Sequence, residues 1–470
     1  MSTTTADIGA TQQDDEQQQP ARRSRGGVLG LLVVLATFLA LATTTAWLTP
    51  AWEANDEVDH VQYVQSVAAG EIPVIGDNIE SAQPPLYYAA VAVWMKALGI
   101  DEDFTTEVTP AVQSGGLPEL QLEHDYTAAE REAAEAVHWL RLLSVVFGLV
   151  TVLCTYLAGR LVGLSTPVTL AATATVALWP KFLLISATVQ NDSLVTALCS
   201  VLIVLVLRWV RPGTGSGWSA GRVGLALAIG LVAGGAALTK YTSLPVVGLL
   251  GLVMLGVALR PLRWRRLVEI VLVGVAASAV LGWWLLRNID RYGDPLASEA
   301  NAAYLREVLP GLAVSVPFVD GQRFGEFVPR TLLDSTWYTG GWNQFLLPFA
   351  LNLALTLAAG AALVGALRVS LRGGTTGGTP FLARHSAVLW AALAAGFVAL
   401  LLIARQTTQA QGRYLFVGMV AIALFLVVGT AELTDVRPRL QQACIWLWPL
   451  LMALTSAYAA QRYLVPFAGL

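Results

Sequence analysis

The sequence predicts an all-helical, polytopic membrane protein, and two observations lead to this fold class: its composition and the distribution of its apolar residues. Of the 470 residues, 55% are hydrophobic and only 13% are charged, whereas soluble domains carry roughly 25% charged residues. So few charges cannot cover the surface of two or three soluble domains, which excludes a soluble enzyme or a disordered chain. The net charge of -3 gives no basic field for a nucleic acid.

Apolar stretches that are long enough to cross a bilayer as helices recur along the chain. An apolar segment at 86–99 is too short to span and is expected at the membrane interface. The predicted spans, about eleven in number, are 27–49, 139–160, 165–186, 193–210, 223–240, 242–259, 267–287, 345–366, 386–404, 413–431 and 441–459.

The first span follows Arg22, Arg23 and Arg25 without an obvious cleavage site, so we interpret it as a retained signal anchor. Residues 1–26 are predicted to form a disordered cytoplasmic tail. Residues 27–470 are predicted to form a single membrane domain in the cell membrane.

Basic residues set the orientation, because Lys and Arg concentrate in short cytoplasmic loops. A cytoplasmic N-terminus places sixteen of the 29 basic residues on the inner side. Two long polar segments, 50–137 and 288–344, then face outward, and the first of them carries seventeen acidic and two basic residues.

The first external loop opens with a cluster of ionisable residues. If a helix begins near Asn55, a good N-cap, then Asp56 and His60 stand one turn apart, as do Asp59 and Tyr63. An acidic residue here can serve as a general base, since partial burial raises its pKa. A carboxylate beside a histidine can also hold a divalent metal, and acids in a first helical turn also simply suit the helix dipole. The residues alone leave these three interpretations open.

A longer pattern surrounds this cluster. Asp56 and Glu57 follow the first span, His60 comes one turn later, and a Gly70-Glu71-Ile72-Pro73 turn leads to Gln83-Pro84-Pro85-Leu86-Tyr87-Tyr88. The pattern resembles the first external loop of the GT-C membrane glycosyltransferases. Within that superfamily it is similar to bacterial relatives of protein O-mannosyltransferase and of the lipid A aminoarabinose transferase, and especially to a branch whose loop reads Pro-Asp-Glu-x-x-His.

The resemblance extends over most of the chain, although Asn55 stands where that branch has its proline. Four further segments follow in the family's order, all on the predicted outer side: Asn191-Asp192-Ser193-Leu194, Thr239-Lys240-Tyr241-Thr242, Arg287-Asn288 with Tyr292-Gly293-Asp294-Pro295, and Gln411-Gly412-Arg413-Tyr414-Leu415. By residue type alone, Asn191 and Asp192 would cap the helix that they begin.

The resemblance implies a GT-C fold and the transfer of a sugar from a polyprenyl-phosphate donor to an acceptor hydroxyl at the outer face. The acceptor would be a glycan, lipid or protein of the cell envelope. Such a transfer needs a base for the hydroxyl and cations for the leaving phosphate. Asp56 matches the family's catalytic acidic position, and Glu57 is the competing choice.

Four basic residues are candidates for the donor phosphate, because the topology places them at the outer ends of spans, at the level of a lipid headgroup. Arginine in particular can donate two parallel hydrogen bonds to a phosphate. The alternative for all four is ordinary snorkelling at the interface. The four residues are Arg413, Lys240, Arg287 and Arg405.

The other residues of the loop motif are expected to support the substrate site. A divalent metal held by Asp56 and His60 stays open as a cofactor, with a hydrogen-bonding role as the alternative for the histidine. The supporting residues are His60, Tyr63, Gln83, Pro84, Pro85, Tyr87 and Tyr88.

Two other functions remain alternatives to an enzyme. A transporter or flippase for a lipid-linked or polar solute would place ionisable residues near the middle of its spans, but most of those found here lie near span ends. A membrane scaffold would instead use the external loops to bind a partner.

Overall fold

The fold is described by a computed structural model for residues 25–106, 127–211, 219–308, 321–340, 345–372, 375–376, 379–380, 383–405, 410–434 and 438–465. Nearly all of the predicted cytoplasmic tail and parts of both predicted external loops lie outside these ranges. The disorder of the tail therefore stays a prediction.

Helices make up almost all of the described chain. The first seven are α1 (Arg25–Leu48), α2 (Glu57–Ala68), α3 (Leu86–Ala97), α4 (Ala128–Leu161), α5 (Thr166–Ala177), α6 (Pro180–Ser186) and α7 (Asp192–Val210). The next five are α8 (Ala220–Ala237), α9 (Leu244–Leu259), α10 (Trp264–Tyr292), α11 (Ser298–Val308) and α12 (Gly321–Ser335). The last five are α13 (Phe349–Arg372), α14 (Ala383–Ala404), α15 (Met419–Leu433), α16 (Pro438–Cys444) and α17 (Leu447–Ala459).

Short elements join these helices. Two 3-10 turns, Tyr241–Ser243 and Gly412–Gly418, lead into α9 and α15, and a π-helical turn, Ala460–Leu464, extends α17. Two small antiparallel ribbons pair β1 (Thr339–Gly340) with β2 (Phe345–Leu346) and β3 (Thr375–Thr376) with β4 (Thr379–Pro380).

The membrane spans agree with the sequence prediction. Among the described residues, 10 helices are long and apolar enough to cross a bilayer, and α5 with α6 would form an eleventh span, bent by 61°. The bend falls at Pro180, which lacks the backbone N–H needed to continue α5 and instead begins α6 at its first position. The predicted polytopic all-helical fold is thus confirmed, with one predicted span broken in the middle.

The position of each helix follows from how apolar its faces are. α15 is apolar all round and buried along almost its whole length, so it lies at the centre of the bundle. The outward faces of the peripheral helices carry exposed leucine and valine side chains, such as Leu32, Val271, Val275 and Leu357. In water such a surface would drive association, but against lipid it is the expected exterior.

One end of the bundle, here called the loop side, is covered by α2 and α3. These helices pack on the first turns of α4 through a buried apolar cluster that includes Tyr63, Tyr88, Val91 and Val137. α4 projects beyond the membrane span and begins with a capping box, in which Thr127 and Glu130 bond each other's backbone N–H groups. α2 begins one residue later than expected, with Asp56 rather than Asn55 as its N-cap.

Helices α13 and α15 approach so closely that only glycine fits at their crossing. A Cβ atom on Gly429 would lie 1.7 Å from the carbonyl oxygen of Ala362, and one on Gly365 would lie 2.2 Å from that of Gly429. Two backbones can pack this tightly only where small residues line the interface.

We therefore expect Gly429→Ala to force α13 and α15 apart and to lower the free energy of unfolding by about 1–3 kcal/mol, the usual cost of overpacking. Thermal unfolding of the purified protein in detergent would measure the effect. Gly360→Ala is the matched control, because a Cβ atom there, also on α13, meets nothing within 4 Å. Equal melting temperatures for the two variants would contradict the tight crossing.

Candidate active site

Asp56 lies at the turn between α1 and α2 in an unusual backbone conformation. Its φ of 61° is left-handed, as is the φ of 74° at Trp52, and residues other than glycine adopt this region only when the surrounding structure holds them there. The Asp56 side chain makes no capping hydrogen bond to α2 and is 27% exposed. The carboxylate is thus directed away from its own helix and remains accessible.

Glu57, the next residue, has the opposite environment. It is fully buried, and Arg141 on α4 donates to both of its carboxylate oxygens, from Nε at 2.8 Å and from Nη2 at 2.6 Å. The backbone N–H groups of Val189 and Trp52 donate to the same carboxylate at 3.0 and 3.3 Å. Because Glu57 has four donors and no solvent contact, it joins α2 to α4 rather than facing a substrate.

Arg413 joins residues that lie far apart in the sequence. Its Nη1 donates to the side-chain oxygen of Gln190 at 2.8 Å, its Nε lies 3.3 Å from a carboxylate oxygen of Asp192, and its Nη2 lies 3.4 Å from Asp56. Asp192 also accepts from Lys240 at 2.6 Å. Lys240, Asp192, Arg413 and Asp56 therefore form a chain of alternating charges, here called the charge chain.

A cleft opens beside Arg413 on the loop side. The side-chain nitrogen of Lys181, buried near the start of α6, donates to the backbone oxygen of Thr339 at 2.9 Å and to its hydroxyl at 2.5 Å. Among the described residues, no carboxylate forms an ion pair with it. This cleft, here called the cation cleft, is lined by residues that include Asn55, Lys181, Gln190, Tyr338, Arg413 and Tyr463.

The supporting residues of the loop motif form the scaffold beneath Asp56. His60 hydrogen-bonds the Tyr88 hydroxyl at 3.0 Å, and the rings of Tyr63 and Tyr88 stack at 3.7 Å. Burial, helped by the charge of Lys240, lowers the pKa of His60 to about 3, so the imidazole stays neutral. The hydroxyl of Tyr63 donates to the backbone oxygen of Gln83. This bond fixes the segment that precedes α3.

Pro84, Pro85 and Tyr87 complete this scaffold. Pro85 is the N-cap of α3, and the backbone N–H of Leu86 donates to Leu238 at the end of α8. Tyr87 bonds the Ser144 hydroxyl on α4 at 3.0 Å. The Gln-Pro-Pro-Leu-Tyr-Tyr segment thus ties the first loop to two membrane helices.

The predicted phosphate ligands fall in different places. Arg413 lines the cation cleft, and Lys240 lies next to the site but is paired with Asp192. Arg287 donates to the backbone oxygen of Pro73 at 3.0 Å and lies over the Trp284 ring, so it holds the first loop. Arg405 is an exposed residue just after α14. Of the four, only Arg413 lines the cleft.

Two more carboxylates lie near Asp56. Burial, together with the charge of Asp56, raises the pKa of Asp59 to about 6. The same two effects, partly opposed by Lys240, raise the pKa of Glu80 to about 8. Glu80 is therefore mostly protonated at neutral pH. Glu53 also lines the cleft, and Asp56 is the partly exposed carboxylate that contacts Arg413.

The sequence left open a divalent metal held by Asp56 and His60. Among the described residues, no group of three His, Cys, Asp or Glu side chains is placed to hold a metal ion. His60 Nδ1 is engaged with Tyr88, and the Asp56 carboxylate is engaged with Arg413. The observed contacts of these two residues therefore fit hydrogen bonding and ion pairing better than metal coordination.

Two residues of this region, Lys181 and Arg141, were not among the sequence candidates, and Asp192 was named only as a motif residue and a helix cap. Lys181 and Arg141 are charged residues inside predicted apolar spans, a position that itself points to a functional or buried-pair role. Asp192 begins α7, yet it pairs with Lys240 and Arg413, and the side chain of Asn191 makes no capping bond. The capping expected at this helix start is therefore absent, since both side chains face the site.

Comparison with known proteins identifies the fold. A family model described as dolichyl-phosphate-mannose-protein mannosyltransferase matches residues 119–291. The Archaeoglobus fulgidus oligosaccharyltransferase tethered with an acceptor peptide is similar with a TM-score of 0.54 at 13% identity, over 95% of this chain and 55% of that one. ArnT from Cupriavidus metallidurans bound to undecaprenyl phosphate gives a TM-score of 0.50 at 15% identity, over 94% of this chain and 73% of that one. The chain has the GT-C fold.

The resemblance to GT-C membrane glycosyltransferases expected from the sequence is therefore confirmed. The S. cerevisiae protein O-mannosyltransferase Pmt1-Pmt2 complex bound to the sugar donor also matches, with 17% identity and a TM-score of 0.40. That match covers 60% of this chain and 34% of the yeast chain. The present chain thus spans about a third of the yeast protein and 55% of the archaeal oligosaccharyltransferase. No curated protein matches the sequence.

Replacing Glu57 by Gln should destabilise the protein, because it leaves the buried guanidinium of Arg141 without its carboxylate. Breaking a buried pair in this way costs about 3–5 kcal/mol, measurable as a lower melting temperature of the purified protein. Glu71→Gln, an exposed acid of the same loop, should melt like the wild type. If Glu57→Gln were as stable as the wild type, the pair of Glu57 and Arg141 would not hold α2 and α4 together.

The raised pKa of Glu80 predicts a stability that depends on pH. Its pKa rises from 4.5 to about 8 on folding, so this contribution is complete below pH 4.5 and is lost as the pH rises through 8. Between pH 6 and pH 9, the melting temperature of Glu80→Gln should therefore fall less than that of the wild type, by roughly 2 °C or more. The same fall in both proteins would contradict the burial of this carboxyl group.

Proposed function

We propose that this GT-C protein is a glycosyltransferase that moves a sugar from a polyprenyl-phosphate donor to an acceptor hydroxyl, with Asp56 as the general base. One observation carries the proposal: the partly exposed Asp56 carboxylate lies 3.4 Å from Arg413, and the same arginine lines a cleft that contains a second buried basic residue, Lys181. A base and a phosphate site are thus adjacent, as sugar transfer requires.

The cation cleft would hold the donor phosphate between Arg413 and Lys181. Arg413 offers a planar fork of donors. Lys181 adds an amine that no carboxylate among the described residues pairs with, and a bound phosphate would favour its charged form. On the same cleft, Tyr338 and Tyr463 stack with ring centres 5.7 Å apart. These rings offer an apolar wall for the first units of the lipid chain.

The reaction would be a single displacement. Asp56 takes the proton of the acceptor hydroxyl as the acceptor oxygen forms a bond to the anomeric carbon. The bond from that carbon to the phosphate oxygen breaks, and its electron pair stays on the phosphate, where Arg413 and Lys181 stabilise the added charge. Attack from the face opposite the leaving group inverts the anomeric configuration.

The positions of the charges also bear on orientation. The loop side carries Asp56 and is covered by α2 and α3 of the acidic first loop, whereas Arg160, Arg211 and Arg222 lie at the opposite ends of α4, α7 and α8. By the positive-inside rule, the loop side faces outward and the N-terminus is cytoplasmic. The acceptor would then be a glycan, lipid or protein of the cell envelope.

We expect Asp56→Asn to lose sugar transfer by roughly 10²–10⁴-fold, the usual contribution of a positioned base, while its melting temperature stays near that of the wild type. The assay uses purified protein and a panel of polyprenyl-phosphate sugars. Asp77→Asn makes the same change in the same loop at an exposed residue and should keep full activity. Full activity of Asp56→Asn would exclude it as the base.

Lys181→Met should lower transfer by about 10²-fold, because one stabilising charge at the phosphate is lost. Lys96→Met, an exposed lysine on α3, is the matched control. A product with retained anomeric configuration would contradict the single displacement.

A wild-type protein that moves intact lipid-linked sugar across a vesicle membrane without transferring it would instead favour the carrier alternative.

A further inference from the structure

Arg413 is shared between the cation cleft and Asp56, and the links of the charge chain differ in strength. The Lys240–Asp192 pair is short, at 2.6 Å, and its side chains are 10% and 6% exposed. The Arg413–Asp56 pair is the longest, at 3.4 Å, and Asp56 is 27% exposed. An exposed, long ion pair contributes little, so this link is the one that opens most easily.

The other contacts of Arg413 would keep the guanidinium in place if that link opened. Gln190 accepts a hydrogen bond from its Nη1, Asp192 forms an ion pair with its Nε, and both of these side chains are buried. Lys240 in turn holds Asp192 by a short hydrogen bond. Gln190, Asp192 and Lys240 are therefore held in place, whereas the side chain of Asp56 is free to move.

We propose that the donor phosphate and the Asp56 carboxylate compete for Arg413, so that phosphate binding releases Asp56 to act as the base. This inference rests on the proposed function and adds its regulation. A carboxylate that is engaged by an arginine is not positioned to take the proton of a hydroxyl, so Asp56 is held back until the donor is bound. Asp192 is then a positioning residue, which keeps Arg413 in place during the exchange.

The charges balance through such a cycle. With Lys181 protonated, the site holds three cations and the carboxylates of Asp192 and Asp56, and the phosphodiester of the donor brings one further negative charge. Transfer puts a proton on Asp56 and leaves a doubly charged phosphate, so the net charge of the site does not change. When Asp56 then loses its proton to water, its carboxylate returns to Arg413 and helps to displace the product phosphate.

The test measures binding of undecaprenyl phosphate, without any sugar, to the full-length protein in detergent at pH 8. Removing the competing carboxylate in Asp56→Asn should tighten binding by about fivefold, the factor that an ion pair of about 1 kcal/mol gives. Asp56→Glu, which keeps the charge, should bind close to the wild-type value. Melting temperatures confirm that each variant is folded.

Asp59→Asn is the matched control, since Asp59 is ionised at pH 8 with a pKa of about 6 but has no ion pair with Arg413. Equal affinity of Asp56→Asn and the wild type would overturn the competition, and so would an equal gain in Asp59→Asn, because the effect would then be one of general charge. A wild-type protein that does not bind undecaprenyl phosphate would instead contradict the phosphate site, and with it the proposed function.

Discussion

The buried pair of Glu57 and Arg141 is the interaction on which the loop side depends. Burying two charges is costly, and it is tolerated only where hydrogen bonds satisfy both groups. Arg141 meets this condition by donating also to the backbone oxygens of Ala46, Thr49 and Pro50. The end of α1, the start of α2 and the middle of α4 are thereby fixed at one point, and the turn that carries Asp56 has no freedom to relax.

The same principle separates the charges of the site into two kinds. Glu57, Asp192 and Lys240 are buried and paired, so their charges stabilise an arrangement that the bilayer alone would disfavour. Among the described residues, the side chain of Lys181 bonds only the oxygens of Thr339. Asp56 is the least buried member of the charge chain. We expect substrates to interact with Lys181 and Asp56, because these two groups have the fewest compensating contacts within the protein.

Much of this architecture could be predicted from the sequence, and the remainder depends on tertiary contacts. The length of the apolar stretches predicted the spans. The family-like motifs assigned Asp56 and Arg413 to the same site, although 357 positions separate them. Position at a span end could not distinguish Arg413 from Arg287, because the difference lies in which backbone each one meets after folding. Lys181 was missed since the break at Pro180, which turns it toward the cleft, has no signature in hydropathy.

Asp56 and Glu57 are neighbours in the sequence but have opposite environments, so their roles could not be assigned from composition. Adjacent side chains of a regular helix point about 100° apart, but composition does not tell which of the two faces the bundle. The left-handed backbone at Asp56 decides this, since it turns one carboxylate out toward Arg413 and leaves the next directed into the bundle toward Arg141. Asp56 is therefore the partly exposed carboxylate that contacts Arg413, an arginine that also lines the cleft, and in the proposed cycle this arginine determines when Asp56 can accept a proton.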